Sequence, residues 1–339
     1  MTIEILEKGL KEKKLDSIYL FYGEERFLLD SIVKKIKKIF GELLIGINYI
    51  QINETNIKDL IYEIETPAFG YEKKLIIIKN SGILKKEGKR KDPKLSEIKE
   101  KVNKYISDNI EQIKETVILV FIEEDIEKQD LYKTIDKNGI ICNFELLRPV
   151  QIAKRIKEIC KAYKVNIDDN TVMYFIEECG TNMQDLINEI RKLIEYAGEN
   201  GNITKQEIDL LCIKQINSII FDLTDNLGKK NVKEAINVLH NLIYEKEPIQ
   251  KILITLYNHF KKLYIVKLSE KYKKSLTESL NLKPNQIFLT NKYKTQSNYF
   301  KEEELKKILE KLSDLDYNYK IGKIDLNIGL ESILCRYCG

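Results

Sequence analysis

The residues after the first apolar run, Ser17–Tyr22, decide whether this chain can hold a nucleotide. A phosphate loop needs a glycine-rich turn ending in Gly-Lys-Ser or Gly-Lys-Thr, because backbone N–H groups and the lysine hold the phosphates. Here the turn has one glycine followed by two carboxylates, Gly23-Glu24-Glu25. The carboxylates would repel an anionic nucleotide, so we expect no nucleotide cofactor at this turn.

Two further groupings have residue types that bind metals. Glu123, Glu124 and Asp125 follow a strand-like run, but with no phosphate loop to work with they are interpreted as a solvated acidic turn rather than a magnesium site. Cys335 and Cys338 have the spacing of half a zinc knuckle, yet zinc needs four ligands and the sequence has no second cysteine pair. No metal is therefore expected.

The two histidines, His240 and His259, lie in helical segments far apart in the sequence. Neither stands beside a serine or cysteine in a nucleophile motif. We expect surface or core positions on helices for both, and no catalytic residue.

An aromatic residue marks the connection between a predicted helix and the apolar run Leu75–Ile78. The connection reads Glu65-Thr66-Pro67-Ala68-Phe69-Gly70-Tyr71-Glu72. Pro67 and Gly70 bracket Phe69 and favour a turn of the chain. Two interpretations stay open: Phe69 and Tyr71 fold back to close the core, or Phe69 is an exposed anchor that fills a partner's pocket.

The segment 259–274 combines an apolar helical face with many lysines. Its apolar residues at 260, 263, 264 and 268 predict a face turned to a core. The lysines expected toward solvent are Lys261, Lys262, Lys267, Lys271 and Lys274. Such a face is usually only solvated, but it could instead approach a phosphate backbone, whose contacts are electrostatic.

Five strand-like segments alternate with helical patterns in the first part of the chain. They are Ser17–Tyr22, Ile47–Ile52, Leu75–Ile78, Val117–Ile122 and Ile140–Phe144. Strands separated by helical crossovers predict a mainly parallel sheet covered on both faces. From Arg148 onward the strand signals stop and the pattern is helical. We predict an α/β domain over residues 1–147, a small helical domain over 148–212 and a second helical domain over 213–339.

Length and charge agree with this division. A chain of 339 residues is long enough for two or three domains, and 57 basic against 53 acidic side chains give a net charge of only +4. The charge is unevenly spread, at −1 over residues 1–145, −2 over 146–210 and +7 over 211–339.

The longest apolar runs have about six residues, whereas a membrane helix needs about twenty. With six scattered cysteines and no signal-peptide pattern, we expect a cytoplasmic protein with free thiols.

Several segments, in the right order over nearly the whole chain, resemble the bacterial DNA polymerase III delta subunit family. They read SIYLFYGEERFL at 17–28, TPAFGYEKKLIII at 66–78, FDLTD at 221–225, AINVLHNLI at 235–243 and EPIQKIL at 247–253. The resemblance implies an AAA+-like α/β domain, a helical lid and a C-terminal helical collar, which match the three predicted regions. It also implies that the phosphate loop is absent.

This family forms part of the clamp loader, in which delta grips the sliding clamp. The resemblance implies that a hydrophobic pair at the end of an α/β-domain helix enters a clamp pocket, and it carries this role over to Ala68 and Phe69, with Pro67 and Tyr71 beside them. The residue before the phenylalanine is often larger, such as leucine. At about 25 cal/mol per Å², the smaller alanine would weaken the anchor by roughly 1 to 3 kcal/mol.

The resemblance further implies the partners and the part played by ATP. The partners would be the beta sliding clamp, the tau/gamma and delta prime loader subunits, and primed DNA near the basic collar. ATP would be bound by the partner ATPases, so this subunit would carry no cofactor and no activity of its own. The alternatives are an ATPase with an aberrant nucleotide site and a DNA-binding α/β scaffold without a clamp partner.

Overall fold

The structure, a computed structural model, describes residues 3–85 and 93–338, with side chains through Arg336. The chain divides into two compact units, residues 1–146 and 147–339. The second unit contains both helical regions that the sequence separates at residue 212, so that further division stays a prediction. Part of the lysine-rich stretch between residues 85 and 94 lies outside the described residues.

The first unit alternates strands with helices, as the apolar runs predict. Its strands are β1 (Ile18–Tyr22), β2 (Tyr49–Ile52), β3 (Lys74–Lys79), β4 (Val117–Glu123) and β5 (Ile140–Asn143). Its helices are α1 (Ile3–Lys11), α2 (Arg26–Phe40), α3 (Leu60–Glu65), α4 (Pro93–Asp108), α5 (Ile110–Thr116) and α6 (Asp130–Asn138), with a 3-10 turn at Ile57–Asp59 leading into α3.

These strands form a five-stranded sheet in the order β2-β3-β4-β1-β5, and every neighbouring pair is parallel. All seven residues of β4 are buried, as expected for a central strand with helices on both faces. The predicted parallel α/β sheet is confirmed.

A parallel sheet places the amino ends of its strands at one edge and their carboxyl ends at the other. The turn at Gly23 follows β1 and therefore lies at the carboxyl edge, where α/β folds bind ligands. The turn around Phe69 precedes β3 and lies at the amino edge. The two features that the sequence singles out in this unit are thus at opposite edges of the sheet.

The second unit is built mainly from helices. They are α7 (Pro149–Ala162), α8 (Asp169–Cys179), α9 (Met183–Ala197), α10 (Lys205–Leu211), α11 (Ile216–Gly228), α12 (Val232–Tyr244), α13 (Ile249–Lys271), α14 (Leu276–Leu280), α15 (Leu289–Ser297), α16 (Glu302–Lys320) and α17 (Leu326–Cys338), with a 3-10 turn at Pro284–Gln286. The long helix α13 buries Leu256, Phe260 and Leu263 in a shared apolar core. The apolar face predicted at 260, 263, 264 and 268 is confirmed for Phe260 and Leu263, whereas Tyr264 and Leu268 are only partly buried.

The expectation that strands stop at Arg148 is wrong in one detail. Two short strands, β6 (Asn166–Ile167) and β7 (Asn202–Ile203), pair in parallel between the helices. The Asn166 N–H also donates to the Gly201 carbonyl at 2.9 Å. Strands of two residues are too short to give an alternating pattern, so the sequence has no signal that would reveal them.

Candidate functional site

The turn after β1 is closed by the chain's own backbone. Gly23 has a φ of +123°, and a Cβ added there would lie 2.4 Å from the Phe144 carbonyl oxygen. The Glu25 N–H, at the start of α2, donates to the same oxygen at 2.8 Å, and the Phe144 N–H donates to the Tyr22 carbonyl at 2.6 Å. The Glu25 N–H, one of the backbone groups that would have to face a phosphate, is therefore engaged by Phe144, the residue that follows β5.

The acidic residues at the end of β4 and just after it do not form the single solvated turn expected from the sequence. Glu123 is buried, and its carboxylate accepts hydrogen bonds from the Ser81 N–H at 3.1 Å and the Ser81 hydroxyl at 2.8 Å. Burial raises the pKa of Glu123, although the bonds from Ser81 oppose the rise. Glu124 is exposed and pairs with Arg26 at 3.2 Å. Glu123 thus differs from its neighbours because β3 brings Ser81 beside the end of β4.

The turn around Phe69 is a hydrogen-bonded structure that presents an aromatic side chain to solvent. The Tyr71 N–H donates to the Ala68 carbonyl at 2.9 Å, and Gly70 has a φ of +80°, as the third residue of a type II turn requires. Phe69 is 87% exposed, whereas Tyr71 is half-buried. Phe69 therefore does not fold back onto the core. Pro67 is exposed beside it, and Ala68 is partly covered.

The helix that leads into this turn ends at a defined residue. The Thr66 N–H and hydroxyl both donate to the Tyr62 carbonyl, at 3.0 and 2.7 Å. These two bonds satisfy a carbonyl that would otherwise be free at the end of α3.

Contacts on both sides hold the turn in place. The Tyr71 hydroxyl donates to the Glu42 carboxylate at 3.2 Å. Lys74, at the start of β3, is buried; its ammonium donates to the Glu63 carbonyl at 2.9 Å and lies 3.7 Å from the Glu63 carboxylate. Burial lowers the pKa of Lys74, and Glu63 opposes that shift. These contacts tie the turn to β3, to α3 and to the segment before β2.

The five lysines expected on one solvated face have different environments. Lys261 and Lys274 are exposed, and Lys267 is partly exposed. Lys271 is bonded to the Glu302 carboxylate at 3.0 Å, which raises its pKa. At about 100° per residue, Lys267 and Lys271 share a face of α13, whereas Lys261 is roughly 120° away from Lys267.

Lys262 departs most from the expected solvent-facing position. Its ammonium donates to the Tyr293 hydroxyl at 3.1 Å and lies 5.1 Å from the centre of the Tyr293 ring. Burial lowers the pKa of Lys262. The cause is helix α15, which carries Tyr293 and packs against α13. Lys262 is therefore the member of the set least available to a phosphate.

The two histidines lie on helices, one in the core and one at the surface, as the sequence predicts. His259 is buried, its Nε2 lies 2.7 Å from the Gln296 side-chain oxygen, and burial lowers its pKa to about 3. His240 is exposed and lies 2.7 Å from the Glu331 carboxylate.

The described residues contain no group of three or more His, Cys, Asp or Glu side chains arranged to hold a metal ion. Cys335 is exposed, and the Cys338 side chain lies outside the described ones. Among the helices of the described ranges, none has a long enough apolar stretch to cross a membrane.

Comparison with known proteins gives consistent matches over both units. Residues 19–145 match the family model described as "DNA polymerase III, delta subunit", and residues 217–337 match its C-terminal domain. The chain is 23% identical over 335 residues to the DNA polymerase III subunit delta of Bacillus subtilis, covering 97% of this chain and 95% of that protein. It is 27% identical over 312 residues to the probable delta subunit of Aquifex aeolicus, covering 89% and 85% of the two chains.

The solved structure of the Bacillus subtilis DNA clamp loader delta protein has the same fold. It superposes with a TM-score of 0.74 at 21% identity, covering 99% of each chain. The two family models together match well over half of the chain, in the order that the sequence segments indicate. The chain belongs to the DNA polymerase III delta subunit family.

Proposed function

We propose that this chain is the clamp-loader subunit that grips the beta sliding clamp, and that Phe69 is its main anchor. The observation that carries the proposal is the 87% exposure of Phe69 on a turn held by hydrogen bonds on both sides. Membership of the delta family and the name of the Bacillus structure, a clamp loader delta protein, support it. Pro67, Ala68 and Tyr71 complete the contact.

An exposed phenylalanine on a rigid turn has the physical properties of a good anchor. Large aromatic side chains contribute most of the binding energy at many interfaces when they enter a partner's pocket. A turn that is already ordered loses little conformational freedom on binding, so less of the interaction energy is spent on ordering it. Ala68 adds little apolar area, which leaves Phe69 as the largest apolar side chain of the turn.

Gripping the clamp would favour the open ring only through a difference in affinity. A ligand that binds two conformations equally well does not shift the equilibrium between them. The turn must therefore bind the open clamp more tightly than the closed one. The subunit then acts as an effector of its partner, and no bond is made or broken at the turn.

ATP would act on other loader subunits. Two features of the turn at Gly23 support this part of the proposal. Its backbone packs against and bonds to Phe144, and it carries the carboxylates of Glu24 and Glu25. The competing hypothesis is an ATPase with an aberrant site. Equilibrium titration of the isolated chain with labelled ATP separates the two, because saturable micromolar binding would favour the ATPase.

The second unit would join the tau/gamma and delta prime subunits and lie near primed DNA. Its collar residues include several large apolar side chains that are exposed in the isolated chain, as expected of a surface that meets other proteins. They are Ile254, Tyr317, Ile321, Ile324 and Ile328. Lys261 and Lys274, which are exposed, and Lys267, which is partly exposed, would contact the DNA backbone.

A binding experiment with the purified clamp tests the site. We expect Phe69→Ala to weaken clamp binding by about thirtyfold or more, since truncating a central aromatic anchor costs about 2 kcal/mol or more at many interfaces. Tyr244→Ala is the matched control, because Tyr244 is also 87% exposed but lies in the second unit.

Three outcomes separate the hypotheses. Loss of binding with Phe69→Ala and normal binding with Tyr244→Ala would support the site. Undiminished binding by Phe69→Ala would reject the anchor. If the wild-type chain itself did not bind the clamp but did bind DNA, the scaffold hypothesis would replace the proposed function.

A further inference from the structure

A second exposed apolar segment lies beside the Phe69 turn. Residues 41–48 connect α2 to β2, and this connection leaves Ile45 80% exposed, with Leu44 at 37% and Ile47 at 41%. Single exposed apolar residues are ordinary on protein surfaces, but three within four positions form a patch.

The connection is held by its own hydrogen bonds. Asn48 is fully buried; its side-chain oxygen accepts from the Leu44 N–H at 2.7 Å, and its side-chain nitrogen donates to the Glu42 carbonyl at 2.9 Å. The Gly46 N–H donates to the Tyr49 carbonyl at 3.1 Å, and Gly46 has a φ of +81°. Ile45 is therefore held in solvent by an ordered loop.

This loop and the Phe69 turn lie side by side at the amino edge of the sheet. β2 and β3 are parallel neighbours that pair Tyr49 with Leu75, so the segments that precede them meet at the same edge. The Leu75 N–H donates to the Asn48 carbonyl at 2.7 Å, and the Tyr71 hydroxyl donates to the Glu42 carboxylate at 3.2 Å. Residues of both segments also line one surface pocket of about 390 Å³.

We propose that the loop 41–48 is a second contact for the partner that takes Phe69, with Ile45 as its anchor. The inference rests on the proposed function, so the partner is the sliding clamp. Its basis is the continuity of the two surfaces through Tyr71, Glu42 and Asn48. Because Ala68 is small, the turn offers one large apolar side chain, and Ile45 supplies another on an element rigidly joined to it.

Two apolar anchors on one rigid edge fit a protein surface with two apolar depressions. Binding both together orders no additional segment, since the hydrogen bonds already fix their separation. A second copy of this chain is the other candidate occupant of the loop, and it is distinguished by the experiment below.

The test measures the affinity of the full chain for the purified clamp after single truncations. We expect Ile45→Ala to weaken binding about tenfold, the effect of losing a secondary interface anchor. The matched control is Ile5→Ala, because Ile5 is 57% exposed on α1, which packs against α2 and against β5, the strand at the opposite end of the sheet from β2. It should change the affinity less than about twofold. Both sites are exposed, so both variants should keep the thermal midpoint of the wild type.

The outcomes of this binding experiment also separate the second contact from the proposed function. If Phe69→Ala loses binding but Ile45→Ala binds as the wild type does, the second contact is rejected and the Phe69 site stands. If the wild-type chain does not bind the clamp, both fail together. If Ile45→Ala instead converts a dimer of this chain to a monomer in sedimentation, with clamp affinity unchanged, the loop is a self-association surface and the proposal is overturned.

Discussion

His259 makes the stability of the second unit depend on pH. Its folded pKa is lowered to about 3 by burial, whereas an unfolded histidine titrates near 6.5. Above pH 6.5 both states are neutral and this group has no effect. As the pH falls from 6.5 toward 3, the unfolded state binds a proton that the folded state does not, so the free energy of unfolding decreases.

We therefore expect His259→Gln to flatten the pH dependence of stability. From the two pKa values, the histidine should remove about 2 kcal/mol from the free energy of unfolding between pH 7 and pH 5. Urea unfolding of the wild type and the variant at both pH values measures the difference. His240→Gln is the control because His240 is exposed; an equal flattening by His240→Gln would show that burial is not the cause.

Residue environments were predictable only where they depend on neighbours close in the sequence. The turn at Gly23-Glu24-Glu25 could be predicted, because the glycine and the end of the apolar run that indicate it lie in that stretch itself. Glu123 and Lys262 could not be placed, since their partners Ser81 and Tyr293 are 42 and 31 residues away in the sequence. A charged side chain is expected to face solvent unless the sequence indicates a partner. The partners of Glu123 and Lys262 come close to them only in the folded chain.

At the scale of elements, the parallel sheet followed from the sequence because its strands are covered on both faces. Continuous apolar runs such as Val117–Ile122 result from that coverage.

Two elements could not be predicted from the sequence. The paired strands β6 and β7 are too short to leave a pattern. The exposed loop at Ile45 was missed because an apolar residue next to a strand suggests burial. Its exposure depends on the hydrogen bonds of Asn48, which the sequence pattern does not indicate.

The join between α3 and β3 depends on Lys74. Its buried ammonium bonds to the last turn of α3 through the Glu63 carbonyl and carboxylate, so it fixes the helix end that leads into the Phe69 turn. We expect Lys74→Met to lower the free energy of unfolding by about 1 to 3 kcal/mol, because the Glu63 carbonyl loses its charged donor. Chemical unfolding measures this effect.

A lysine on the same strand provides the comparison. Lys79 is exposed at the other end of β3, and Lys79→Met should change stability by less than about 0.5 kcal/mol. Equal losses for the two variants would mean that the lysine side chain, rather than the contact with Glu63, stabilises the strand.

At the scale of the whole molecule, the net charge of +4 is the sum of two parts with different surfaces. Residues 1–145 carry −1 and present exposed apolar side chains at the amino edge of the sheet, whereas residues 211–339 carry +7. An apolar anchor recognises a protein pocket, and a positive surface recognises phosphates. Clamp binding and DNA binding should therefore respond to separate sets of substitutions.

Salt dependence distinguishes a DNA contact from a face that is only solvated. Each phosphate neutralised on duplex DNA contributes about −0.9 to the slope of log K against log salt. If Lys261, Lys267 and Lys274 each meet a phosphate, replacing all three by alanine should make that slope shallower by roughly 2 to 3. Anisotropy of a labelled primed duplex, titrated at salt concentrations between about 50 and 200 mM, measures it.

The control for this experiment must remove the same charge elsewhere in the unit. Lys306, Lys307 and Lys311 are exposed on α16, so their triple alanine variant loses as much positive charge from a different helix. A general electrostatic attraction would shift both triple variants equally, because it depends on net charge rather than on position. A direct contact would change the slope only for the first set, and equal slopes would mean that Lys261, Lys267 and Lys274 are only solvated.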